Sequence, residues 1–201
     1  MEAFESFVAL TMEADTEDGR LVVSEAIKFP VIRQTAKTSR VEIQTHGFEV
    51  DLVGARHDRL VLATVKSFFG SRGVVAEHVM GKSETKRFNS LYALINDPVV
   101  RDAVIDGASK RYGYPINQIE LRLYVGKFAG GKTVEHERLI REWAAKQIVG
   151  AGPIRVFGLQ DIVATARQVA SSKTYRDNPA LVAMKVMDAA GMLTPNESRP
   201  L

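Results

Sequence analysis

The pattern of hydrophobic and polar positions predicts one helix followed by three strands. Apolar residues recur at helical spacing between residues 3 and 14, and the polar stretch DTEDG then breaks the pattern. Two β-rich runs follow from residue 21, separated by the turn AKTS, and the run LVLATVKSFF comes after the turn RHDR. We expect a three-strand meander in which Pro30 favours an edge position or a bulge and Gly47 marks a bend.

The rest of the chain alternates helical patterns with short strands. The first predicted elements are helices at Ser90–Ile95 and Pro98–Tyr112, with Asp97 as the N-cap of the second, followed by the strand IELRLYVG. A helix from Val134 to about Ile148 and the strand IRVFG come next. The last two helices run from Leu159 to about Ser171 and from Pro179 to Ala190, and Gly191 ends the second of them. These elements predict the α/β class, with further strands after the meander and helices at the C-terminus. We expect one domain over residues 1–175 and a helical tail or docking element over residues 176–201.

Composition narrows the classes of protein that fit this pattern. A chain of 201 residues with 45% hydrophobic and 25% charged side chains can bury one sizeable core. Cysteine is absent, which excludes disulfides, Cys-ligated zinc and a thiol nucleophile. The opening MEAFESFVAL lacks a basic leader, and no stretch approaches the ~20 apolar residues that span a bilayer, so we expect a cytoplasmic protein. A net charge of +3 permits nucleic-acid binding without requiring it.

Charged residues interrupt two otherwise apolar strands of the meander. Residues two apart on a strand share a face, which groups Glu49 with Asp51 and Thr64 with Lys66. Pairing through the short RHDR turn can bring Asp51 opposite Thr64 and Lys66. The pattern therefore predicts a cleft shared by a carboxylate and an ammonium group; the alternative is an ordinary surface ion pair.

Residues 47 to 67, GFEVDLVGARHDRLVLATVKS, resemble the motif region of the restriction-endonuclease-like PD-(D/E)XK nuclease superfamily, in particular its Holliday-junction-resolvase-like members. The predicted order of helix, three strands, helix and strand is similar to the core of that superfamily. The resemblance implies a restriction-endonuclease-like core, DNA as the favoured partner, and Mg²⁺ or Mn²⁺ held by Asp51 and Glu49. It further implies that Lys66 orients water or stabilises developing charge, and that Glu5 on the first helix can serve as an auxiliary ligand.

Thr64 departs from the superfamily pattern, because it stands where the second acidic residue is usual. A neutral hydroxyl is a much weaker ligand for a hard divalent cation than a carboxylate is. Two versions of the hypothesis follow: a metal-dependent endonuclease that takes its second carboxylate from elsewhere, or a nucleic-acid-binding protein that kept the fold and lost turnover.

A second motif, GKFAGGKT, matches the P-loop pattern through Gly126, Gly131, Lys132 and Thr133, with a predicted strand before it and a predicted helix after it. Such a loop binds phosphate through main-chain N–H groups and the lysine. Against a nucleotide hydrolase, little chain follows the motif, and the strand IRVFG ends without an Asp for Mg²⁺. A nucleotide- or phosphate-binding regulatory protein, a loop that anchors nucleic acid, and a plain glycine-rich turn remain open.

Three further features suggest contacts rather than chemistry. Arg72 in the loop SFFGSRG can bind a phosphate backbone. His46 precedes the Gly47 bend and is near the predicted cleft. The last helix has apolar residues near helical spacing: Leu181, Met184, Met187 and Leu193. Packing of this helix onto the core would explain them. If they are exposed, they would instead indicate a homodimer or a protein partner. A non-catalytic interaction module is therefore the third candidate function.

Overall fold

A computed structural model describes residues 3–14, 20–37, 40–130, 134–172 and 178–192. The strands are β1 (Val22–Lys37), β2 (Arg40–Arg56), β3 (Arg59–Lys66), β4 (Ile119–Val125), β5 (Ile148–Val149), β6 (Gly152–Pro153) and β7 (Arg155–Phe157). The helices are α1 (Ala3–Met12), α2 (Ala76–Val79), α3 (Lys86–Ser90), α4 (Ala93–Asn96), α5 (Pro98–Tyr112), α6 (His136–Ala144), α7 (Leu159–Ser171) and α8 (Pro179–Ala189), with a 3₁₀ turn at Ile116–Gln118. The fold is therefore α/β, as expected from the sequence.

The main sheet has five strands in the order β1-β2-β3-β4-β7. The first three form the expected antiparallel meander, whereas β3, β4 and β7 run parallel. Strand β1 lies at the edge, which explains how it accommodates Pro30. The parallel strands end together at Lys66, Val125 and Phe157, and we call this side of the sheet the carboxyl edge.

Two apolar layers cover the two faces of the sheet. On β3, Leu60 and Leu62 belong to a core with residues of α5 and α6, such as Val104 and Ile140. The alternating residues of the same strand pack instead with α1 and α7: Val61, Ala63 and Val65 against Phe4, Val8 and Ile162. Thr64 and Lys66 continue the first series, so they extend from the face that α5 covers.

The ribbon of β1 and β2 is distorted where Ala26 faces Asp51. Pairing passes from Glu25 with Leu52 to Ile27 with Val50, and Ala26 adopts φ +52°, a left-handed conformation that an L-residue rarely takes. Leu52 packs on the α1 side, whereas Val50 packs on the α5 side. The side-chain alternation therefore changes at Asp51. The bend expected at Gly47 is not there, since β2 continues through that residue in register with Pro30.

The helix ends follow their sequence signals in two cases. The Asp97 side chain accepts hydrogen bonds from Val99 N at 3.0 Å and Val100 N at 3.4 Å, which confirms the predicted N-cap of α5. Gly191 has φ +71° just after α8. Helix α8 packs through Leu181 and Met184 against α1 and α7, so this part of the predicted tail contributes to the core. Leu193 lies outside the described residues.

Other local predictions were wrong in length or missed an element. The helix expected to begin at Val134 begins at His136 and ends at Ala144. The small β5–β6 hairpin, which turns at Gly150 with φ +59°, follows it. The short helices α2 and α3 were not predicted, because four or five residues carry too little periodic pattern.

Candidate phosphate-binding cleft

Asp51 lies where β2 and β3 separate. Their ladder runs from Arg56 with Arg59 to Leu52 with Ala63, and it stops there. One residue further, Oδ2 of Asp51 accepts the main-chain N–H of Val65 at 2.6 Å. The carboxylate thus takes the place of a main-chain acceptor and satisfies a donor that the diverging strand no longer reaches.

Thr64 and Lys66 complete a three-residue cluster around the same oxygen. Oγ1 of Thr64 donates to Oδ2 of Asp51 at 3.0 Å, and Nζ of Lys66 lies 3.5 Å from it. Thr64 is buried, whereas the Lys66 and Asp51 side chains are 19% and 21% exposed. The predicted pair is therefore adjacent on one side of the sheet, and both charged side chains are partly exposed to solvent.

The cluster leaves hydrogen-bonding capacity for a ligand. Within the described ranges, every hydrogen bond to the Asp51 carboxylate uses Oδ2, so Oδ1 is without a protein donor. The Lys66 ammonium has three N–H groups and contacts one described carboxylate, which leaves two donors. Two free ammonium donors at a solvent-facing strand end suit an oxygen-rich anion such as a phosphate.

Glu49 and Glu5 do not join this cluster. Glu49 lies 3.6 Å from Lys28 across the β1–β2 ribbon, and its side chain is half exposed. Glu5 lies in the first turn of α1, which packs on the face opposite to Thr64 and Lys66. Unbroken alternation along β2 would place Glu49 on the same side as Asp51, and the distortion at Asp51 breaks that alternation. Their roles as ligands remain predictions.

The residues around Asp51 match a divalent-metal site only in part, because they supply a single described carboxylate. Among the residues that the structure describes, no group of three or more His, Asp or Glu side chains could hold an ion. Mg²⁺ is usually bound by one or two carboxylates together with waters and substrate phosphates. Here Asp51 supplies one carboxylate, and Thr64 adds a hydroxyl that already donates its proton to it.

Two loops meet at the carboxyl edge beside the end of β3. The N–H of Gly126 donates to the carbonyl of Lys66 at 2.8 Å, and the N–H of Val74 donates to the carbonyl of Lys127 at 2.9 Å. The Lys127 ammonium donates to the Ser71 carbonyl at 2.7 Å, and the exposed Arg72 is the next residue. The start of GKFAGGKT and the loop SFFGSRG thus carry two cations on the same edge of the sheet as Lys66.

The structure gives Gly126 a steric role. A Cβ at this position would lie 2.6 Å from the Ser67 carbonyl oxygen and 2.7 Å from the Phe69 ring. The glycine is thus explained by the close approach of two loops. Gly131, Lys132 and Thr133 lie outside the described residues. The helix after them begins at His136, whereas a P-loop leads directly into its helix.

Sequence reasoning missed a buried polar row on β4. Nε of Arg122 donates to Oε1 of Glu120 at 2.6 Å, and its Nη1 donates to the Tyr124 hydroxyl at 3.3 Å. Burial raises the pKa of the Tyr124 hydroxyl, although the Arg122 charge opposes that shift. The period-two pattern of polar residues in the apolar strand IELRLYV was the available signal. The row lies on the α1 and α7 side and is separate from the cleft.

No family model, curated protein or solved structure matches the chain. None of the helices in the described part of the chain is long and apolar enough to cross a membrane. The fold and the cleft therefore carry the functional argument.

Proposed function

We propose that this protein binds nucleic acid, with DNA as the favoured form, by holding a backbone phosphate at Lys66. The observation that carries the proposal is the 3.5 Å separation of the Lys66 ammonium and the Asp51 carboxylate, two partly exposed side chains at a strand end. The ammonium would attract the phosphate. Asp51 would orient the ammonium by holding one of its donors.

The place of the cleft in the fold supports this proposal. In α/β sheets, ligands bind beyond the carboxyl ends of parallel strands, and Lys66 ends β3. Arg72 and Lys127 lie on loops of the same edge and would contact neighbouring phosphates. Cations in such an arrangement give salt-dependent binding with little sequence preference.

The order of elements supports a restriction-endonuclease-like origin for this architecture. Helix α1, the meander β1–β3, the helices α2 to α5 and the strand β4 occur in the order that the resemblance implied. Thr64 then stands in the position of the second acid. Because the hydroxyl of Thr64 is a weaker ligand for a hard divalent cation than the usual second carboxylate, we propose binding without turnover as the present activity.

Fluorescence anisotropy with a labelled oligonucleotide tests the proposal. Lys66→Ala should lower the affinity about fivefold to tenfold and reduce the slope of log K against log salt by ~1, because one phosphate contact is lost. Lys110→Ala is the matched control, since it removes an exposed lysine paired with Asp106 on α5. Absence of binding in the wild type, or equal effects of the two variants, would refute the proposal.

A further inference from the structure

An apolar pocket of about 380 Å³ lies between α1, α7 and the loop that follows β3. Its walls include Phe4, Phe7, Ser67, Phe69, Ile162 and Val163. Three aromatic rings line a space whose volume falls within the ~300–1,000 Å³ of small-molecule sites. Phe69 is 52% exposed, so the pocket opens to solvent through one of its aromatic walls.

The turn after β3 positions this aromatic wall. Phe68 adopts φ +44°, a left-handed conformation that costs a bulky residue energy, and its side chain packs on the α5 side. Phe69 consequently turns to the other side and meets Phe4 edge to face, with ring centroids 5.1 Å apart. The strained turn therefore presents one ring to each side of the sheet.

The pocket adjoins the phosphate-binding cleft. Ser67, one of its lining residues, directly follows Lys66, so their Cα atoms are about 3.8 Å apart. Lys66 extends to the α5 side and the pocket opens on the α1 side, so the two sites flank the end of β3. Arg72 and Lys127 lie on the loops of this edge. A strand that crosses the edge would meet a cation and then an aromatic pocket.

We propose that the pocket takes an unpaired nucleobase from the strand whose phosphate is bound at Lys66. This inference rests on the proposed function. Aromatic side chains stack with the face of any base, and the opening beside Phe69 and Leu159 would leave the polar edge of the base in water. A base inside an intact duplex cannot enter. The preferred ligand is therefore single-stranded nucleic acid, or a duplex with an unpaired nucleotide.

Phe69→Ala tests the pocket, and Phe88→Ala is its matched control, because Phe88 is also exposed and lies on α3 outside the pocket. The probe is a labelled single-stranded oligonucleotide, compared with the same sequence as a duplex. Phe69→Ala should weaken single-strand binding on the order of tenfold and leave duplex binding unchanged, since base–aromatic stacking is lost. Phe88→Ala should bind both forms like the wild type.

A second variant and a second readout make the test independent of one substitution. Leu159→Trp should fill the pocket and weaken single-strand binding to a similar extent, with a melting temperature near that of the wild type. A 2-aminopurine in the strand should change its emission on binding to the wild type and not to Phe69→Ala. Single-strand binding that is lost in Lys66→Ala but unchanged in both pocket variants would overturn the pocket alone. Absence of any binding to the wild type would overturn the proposed function and the pocket with it.

Discussion

The carboxylate of Asp51 accepts the main-chain N–H of Val65 at 2.6 Å, so the acidic residue of the candidate cleft also ends the β2–β3 ladder. A structural role and the proposed functional role therefore fall on one side chain. These two roles have different requirements. Any acceptor oxygen can satisfy the N–H of Val65, whereas an interaction with a charged ligand depends on the charge of the side chain.

Substitutions at Asp51 separate these roles. Asp51→Ala leaves the N–H of Val65 and the hydroxyl of Thr64 without their acceptor, which should lower the free energy of unfolding by about 1–3 kcal/mol. Asp51→Asn keeps an acceptor oxygen and should destabilise less. It also removes a negative charge beside Lys66 and should therefore bind DNA more tightly than the wild type.

Urea unfolding and fluorescence anisotropy measure these two effects on the same proteins. Equal destabilisation by Asp51→Ala and Asp51→Asn would contradict the role of Asp51 as a main-chain acceptor. Weaker DNA binding by a folded Asp51→Asn would instead indicate that the carboxylate itself takes part in binding the ligand.

Thr64→Asp should create a metal site in the cleft. The hydroxyl of Thr64 is 3.0 Å from Oδ2 of Asp51, so a second carboxylate at this position could share one cation with the first. Mn²⁺ should then raise the melting temperature of Thr64→Asp, because it binds the folded state alone. Thr64→Asn, which has a similar shape without the charge, should show no shift. A metal response as small in Thr64→Asp as in Thr64→Asn would argue against the proposed geometry.

Part of this site could be predicted from local sequence alone. The short turn RHDR fixes how β2 pairs with β3, and that register places Asp51 near Thr64 and Lys66. Asp97 before Pro98 likewise marks a helix start through a contact within three residues. Such signals are reliable because the interacting groups are neighbours in the chain, or are aligned by a tight turn.

The features that the sequence did not predict depend on contacts between segments that are distant in the chain. The pocket combines residues of α1, the loop after β3 and α7, and no local pattern relates these segments. The left-handed conformations of Ala26 and Phe68 were also invisible, since neither residue type favours them. The register of β1 and β2 pairs Glu49 with Lys28, and the distortion at Ala26 breaks the alternation that would have put Glu49 on the side of Asp51.

Ala26→Gly should stabilise the protein. Ala26 is exposed and has φ +52°, so glycine would relieve the backbone strain without losing a packed side chain. We expect a gain of about 0.5–1 kcal/mol in the free energy of unfolding, measured by urea denaturation. Ala151→Gly is the matched control, because Ala151 is exposed and has no positive φ. The control should be slightly destabilised, and a loss of stability in both variants would show that Ala26 is not strained.

The turn between β2 and β3 should make stability depend on pH in acid. Arg56 donates to both carboxylate oxygens of Asp58, at 2.6 and 2.9 Å, and these hydrogen bonds lower the pKa of Asp58 from 3.8 to about 2. A lowered folded-state pKa gives stability that is present above the unfolded value and is lost as the pH falls through the folded value. The contribution of this pair should therefore disappear between about pH 4 and pH 2.

Urea midpoints measured from pH 5 to pH 2 test this expectation against Asp58→Asn. The variant should lose less stability than the wild type over that interval, because it has no carboxylate to protonate at this position. Arg56→Gln should flatten the profile similarly, and the double variant should add little, since both substitutions break the same interaction. Parallel profiles for the wild type and Asp58→Asn would mean that the Arg56–Asp58 pair does not contribute to the loss of stability in acid.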